Sequence, residues 1–207
     1  MSFVEDIRVV HALSLAVLPV DAFLGTPIPW PLDVRLGPHQ PIRGRASDGS
    51  IRFVGLPPSA LALDVSDPSG RYRQRGPRPI IAVPQTTADT DRVPLWPTSR
   101  AAYGGGITEL RVRVSPLSPG SVTALELRVA PGALAPRHAG HPDSHGELVC
   151  PLTGVIEPDR GWISLRFEAL DASGAPVAID RVDAPSTAAG VPRVRAGASS
   201  RVTVHLR

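Results

Sequence analysis

The chain has 207 residues and a formal net charge of +3, and it contains no lysine and no asparagine, so all 22 basic residues are arginines. Schiff-base chemistry, a phosphate-binding P-loop lysine and an N-glycosylation acceptor are therefore excluded. The charge is too small and too dispersed to imply nucleic-acid binding, and the single Cys150 cannot form an internal disulfide.

With 24 prolines and 19 glycines spread along the chain, few stretches are long enough for a helix of ordinary length, and strands joined by turns are expected. The apolar run Val9 to Val20 imitates the core of a signal peptide. However, Glu5 and Asp6 outweigh Arg8 ahead of it and His11 interrupts it, so it reads as part of the mature protein and a cytoplasmic location is expected. No run reaches the ~20 apolar residues of a membrane helix.

In chain order, Ile7 to Phe23 predicts one long strand or two joined near Ser14. Gly25 and Pro27 then predict a turn after Asp21, with Pro31 to Leu36 returning antiparallel as a hairpin. Asp48-Gly49 predicts a tight turn before a strand at Ile51 to Val54, and Ala60 to Val65 reads as another strand. Short strands follow at Ile80 to Val83 and Val93 to Trp96, and Gly104 to Gly106 closes a connecting stretch.

Beyond it, Thr108 to Val114 and Val122 to Val129 alternate cleanly, with Arg and Glu on one face and Leu and Val on the other. Gly146 to Leu152, Trp162 to Leu170, Val177 to Val182 and Arg201 to Leu206 predict the remaining strands, and Pro131 to Ser144 reads as a long loop. Strands of about five residues separated by turns every ~8–12 residues predict an all-β protein of two tandem antiparallel β-sandwich modules, Ig-like or transthyretin-like. Their expected bounds are residues 1–97 and 107–207, with a Gly-rich connection at 98–106. Asp21 to Ile28 is echoed by Asp171 to Val177, and Gly49 to Phe53 by Gly146 to Cys150 in permuted order, a likeness that shared strand-and-turn physics accounts for without duplication.

Three groups of side chains carry possible chemistry. His138, His141 and His145, with Asp143 and Glu147, are ligand types for zinc or another transition metal. Their spacing matches no defined metal motif, and a polar loop explains the same residues, so neither a metal nor any other cofactor is assigned. Arg71, Arg73 and Arg75, extended, would project to one side and receive carboxylates or phosphates of a partner, although no aromatic platform accompanies them for nucleic acid. Trp30, between two prolines, is the candidate aromatic contact. No Gly-x-Ser-x-Gly elbow is present, and Cys150 lies in an apolar stretch, so no nucleophile is assigned and a non-enzyme is expected.

The first hundred residues resemble the carboxypeptidase regulatory-like, or Cna-B/SpaA-like, group of transthyretin-like β-sandwiches. The resemblance rests on Leu15 to Val20, Asp21-Ala22 with Gly25 and Pro27, Leu32 to Leu36, Asp48-Gly49, Ile51 to Phe53, Leu56-Pro57-Pro58, Leu61 to Val65 and Tyr72. Surface pilins of that group join a lysine to an asparagine, which this composition forbids. Related hydrolases end in a Tyr-Arg-Gly-Ser tail, whereas this chain ends Val202-Thr-Val-His-Leu-Arg207.

The Val93-Pro-Leu-Trp-Pro97 step in an arginine-rich chain also resembles accessory proteins of phage-tail-like contractile injection systems. That resemblance implies a structural role at a cap, collar or baseplate, with the protein subunits of a larger particle as partners and no membrane. A carbohydrate- or cell-surface-binding module, using Trp30, Trp96 and Tyr103 as sugar platforms, is the alternative.

Overall fold

The computed structural model describes residues 13–40, 46–75, 78–83, 90–104, 106–115, 125–132, 138–153 and 160–207. The strand expectations at 7–12 and 122–124 lie outside these residues. Among the described residues every regular element is a strand, so the chain is all-β. Two compact units account for it, and their segments alternate along the sequence. One lies within Met1–Val20, Thr26–Pro68 and Gln74–Pro94, and the other within Asp21–Gly25, Ser69–Arg73 and Leu95–Arg207.

In the first unit, β1 (Leu13–Asp21), β2 (Asp33–Leu36), β3 (Ile51–Val54), β4 (Ser59–Ser66) and β6 (Ile80–Val83) form antiparallel pairs β1–β3, β2–β4 and β4–β6. The expected hairpin between β1 and the Pro31 to Leu36 segment does not form, because β2 pairs with β4. The chain leaving β1 makes only a single bridge, Val20 to Pro27, backed by the Ile28 amide donating to the Pro19 carbonyl at 3.1 Å. The prolines at 27, 29 and 31 deprive that return segment of the amides that a second ladder requires.

The Asp48-Gly49 turn forms as expected: Gly49 takes φ +82°, and the Asp48 carboxylate accepts the Ser50 amide at 2.8 Å. Alternation along these strands buries Leu15, Val17, Val34, Leu36, Ile51, Phe53, Leu63 and Val65.

The second unit also contains β5 (Tyr72–Arg73), which pairs with the end of β7 (Asp91–Pro97). Its main body is a β-sandwich. One sheet has the order β11 (Glu147–Leu152), β8 (Thr108–Ser115), β17 (Ser199–Leu206), β14 (Ile179–Asp183). The other runs β10 (His138–Gly140), β9 (Glu126–Pro131), β12 (Trp162–Leu170), β16 (Val191–Arg195), β15 (Ser186–Ala188), with β13 (Pro176–Val177) on β12. Leu110, Val112, Val114, Leu148, Cys150, Val202 and Val204 of the first sheet share a core with Leu127, Val129, Ile163, Leu165 and Val194 of the second. Each such side chain, fully buried, contributes about 1.5–3 kcal/mol.

One pairing departs from the expected antiparallel modules: β17 runs parallel to β8, in register from Ser199↔Glu109 to His205↔Ser115. A parallel neighbour needs a long crossover, and the strands of the opposite sheet, β9, β12 and β16, supply it. The Pro131 to Ser144 loop likewise contains a strand, since β10 pairs with β9 from His138↔Val129 to Gly140↔Leu127.

Candidate functional site

Asp21 ends β1, and the Phe23 and Leu24 amides donate to its Oδ1 at 2.8 Å each, so the aspartate caps its own turn. Its Oδ2 points inward and accepts two phenolic hydroxyls, Tyr72 and Tyr103, at 2.6 Å each. Asp21 and Tyr72 are buried. Burial, together with the bond to the Asp21 carboxylate, pushes the Tyr103 phenol far above the usual tyrosine range. Cys150 is fully buried, and desolvation, then the Asp21 charge, pushes its thiol up, so it is not an activated nucleophile.

A second buried carboxylate, Glu109 of β8, accepts the Tyr103 amide at 2.8 Å, the Ser199 hydroxyl at 2.9 Å and Arg111 Nε at 2.7 Å. Positions two apart share a face of a strand, which brings Glu109 and Arg111 together. The remaining nitrogens of Arg111 donate to the Ser99 and Ala101 carbonyls at 2.7 and 2.8 Å. This holds Ser99 and Ala101, part of the expected 98–106 connection, to β8 within the second unit.

Arg73 is not displayed beside Arg71 and Arg75 for a partner. Its guanidinium is half-buried and donates to the His141 and Pro142 carbonyls at 2.9 Å each, while Nε lacks a hydrogen bond among the described residues. Burial lowers the Arg73 guanidinium, opposed by the Asp143 carboxylate. Arg71 is exposed, Arg75 and Trp30 are half-buried, and each of the three is engaged in further contacts.

The three histidines have different surroundings. His138 is buried in β10, with Nε2 lacking a partner among the described residues, and desolvation lowers its pKa against an opposing hydrogen bond to the Thr153 backbone. His141 Nδ1 lies 2.8 Å from the Leu125 carbonyl, and its ring meets Trp96 edge-on at 5.8 Å. His145 is exposed, and its amide donates to Asp143 Oδ1 at 2.8 Å. Asp143 in turn serves as a turn cap, accepting the Glu147 amide at 3.0 Å. Among the described residues no group of three or more His, Cys, Asp or Glu side chains is arranged to hold a metal ion. Trp96 is also packed edge-on against Phe23 at 5.5 Å, and the Tyr103 hydroxyl donates to Asp21.

The outer face of the β11-β8-β17-β14 sheet carries a further group of charged side chains. Arg111 and Arg113 of β8, Arg201 of β17, and Glu147 and Val149 of β11 line a shallow depression there. Register aligns Val149, Arg111 and Arg201 in one row and Glu147, Arg113 and Thr203 in the next. Arg113 and Arg201 are exposed and make no hydrogen bond or ion pair among the described residues. The sequence did mark β8 as a strand with Arg and Glu on one face. The approach of Arg201 depends on the parallel β17–β8 pairing, which no local pattern reveals.

No protein-family model matches this chain, and no curated protein matches it. A solved structure titled "The Bacillus anthracis TIE protein" is similar at 11% identity, with a TM-score of 0.29, over 94% of this chain and 33% of that one. The chain thus spans about a third of that protein's length, and the likeness is too slight to carry an argument.

Proposed function

We propose that this chain is a non-enzymatic structural component of a multiprotein assembly, in the manner of a cap, collar or baseplate accessory protein of a phage-tail-like contractile injection system. In this reading its two units are transthyretin-like modules that work in the cytoplasm with protein subunits as partners. The observation that supports it most is the distribution of polar chemistry. Asp21, Glu109, Asp143, Arg73 and Arg111 bind turns, hydroxyls and backbone carbonyls inside the second unit, while the exposed Arg113 and Arg201 are unengaged among the described residues. Buried polar groups bonded in this way rigidify a scaffold, and exposed guanidiniums offer partner contacts.

The test is affinity purification of the tagged chain from its native host, followed by gradient sedimentation. A fast-sedimenting complex with stoichiometric co-purifying subunits is the expected result. A lone monomer across all fractions, with no co-purifying chain, would overturn the reading.

A further inference from the structure

We infer that the outer face of the β11-β8-β17-β14 sheet receives an acidic segment of a partner protein, with Arg113 and Arg201 closing on its carboxylates. This rests on the reading of the chain as an assembly component and names the chemistry its partner must bring. Because Arg201 lies opposite Arg111, Arg113 and Arg201 are diagonal neighbours on adjacent parallel strands. Cβ atoms so placed are roughly 7–8 Å apart, within reach of two long side chains converging on one group. Arg111, opposite Arg201, is consumed by Glu109, Ser99 and Ala101, whereas Arg113 and Arg201 make no ion pair among the described residues.

Like charges on adjacent strands are unfavourable unless an anion is supplied, and a guanidinium fork fits a carboxylate through paired N–H donors. The buried Val149 gives the depression an apolar floor under the arginines.

Glu147 decides between an acidic protein and a nucleic acid. It occupies the position opposite Arg113 and places a carboxylate on the rim of the depression. A continuous polyphosphate laid across the strands would meet that charge, whereas a peptide presents carboxylates at intervals and can set an uncharged residue beside it.

The test uses the full chain and a fluorescein-labelled octaglutamate peptide, followed by fluorescence anisotropy at low ionic strength, with a labelled DNA duplex as the comparison probe. The wild type should bind the peptide more tightly than the duplex. Arg113→Gln combined with Arg201→Gln should weaken peptide binding about tenfold. Arg166→Gln, removing an exposed arginine on β12 of the opposite sheet, should leave it unchanged. The pair Arg113→Lys and Arg201→Lys, which keeps charge and fold but loses the forks, should fall between.

Absence of peptide binding by the wild type, equal weakening by Arg166→Gln, or tighter binding of the duplex would each overturn the proposal. Those outcomes leave the assembly reading standing, whereas a wild-type chain that sediments alone while still binding the peptide overturns only that reading.

Discussion

Asp21 illustrates how one residue serves two levels of structure. Its Oδ1 does what Asp48 and Asp171 do, capping amides two residues on, and this accounts for the echo between Asp21-Ala-Phe-Leu-Gly25 and Asp171-Ala-Ser-Gly174 as turn chemistry. Its Oδ2 does what neither of the others does, holding Tyr72 and Tyr103 from positions far along the chain. Asp21→Ala leaves both hydroxyls without their acceptor and should cost about 3 kcal/mol in urea denaturation. Tyr103→Phe, removing one of the two bonds, should cost about 1 kcal/mol by the same measurement.

His138 supplies a pH dependence. Burial depresses its folded-state pKa below 6.5, so the neutral ring is the form that folds. Above about pH 6.5 both states are neutral there and the group has no effect. As the pH falls below that value the unfolded chain takes up a proton that the folded chain resists, and stability is lost until the pH passes the folded pKa. The denaturation midpoint should therefore drop as the pH falls below about 6.5, and His138→Gln should flatten that part of the profile. An unchanged slope in the variant would assign the loss to other groups.

At the scale of elements, strands with strong period-two alternation are the ones local pattern finds. Trp162 to Leu170 is β12 to the residue, and Thr108 to Val114 is β8 less its last residue. β15 and β16 were not predicted, because Ser186 to Arg195 offers small and polar residues with little apolar alternation, and both strands persist through pairing across the Ala189-Gly190 turn. β10 was hidden in a stretch read as loop, and its position depends on Gly140. A Cβ at Gly140 would lie 2.7 Å from Leu148 Cδ1 and 3.1 Å from Phe23 Cζ. Leu148 is itself buried in the shared core, so it must shift within that core to admit the methyl group. Gly140→Ala should therefore destabilise by about 1–3 kcal/mol, read as a lower thermal midpoint, as overpacking of a filled core does.

At the scale of the whole molecule, β17 is the strand on which the most depends. It lies between β8 and β14, and its Val202 and Val204 reach the shared core of the sandwich. Deleting residues 199–207 removes that centre and should abolish the cooperative unfolding transition of the second unit. In the intact chain, β17 and β8 amides should be among the slowest to exchange with deuterium. Exchange in β17 as fast as in the edge strand β15 would contradict its central place.

The sequence by itself determined the all-β class, the aspartate turns, the alternating faces of β8, the extent of β12, and the exclusion of lysine chemistry. These follow from residue identity and from interactions within a few positions. Only the tertiary structure decided that β2 leaves β1 for β4, that β17 runs parallel to β8, that Arg73 turns inward, and that Arg113 and Arg201 meet on one face. Each of those depends on pairing between distant segments, where many registers satisfy the same local pattern and the choice is made by the core they jointly bury.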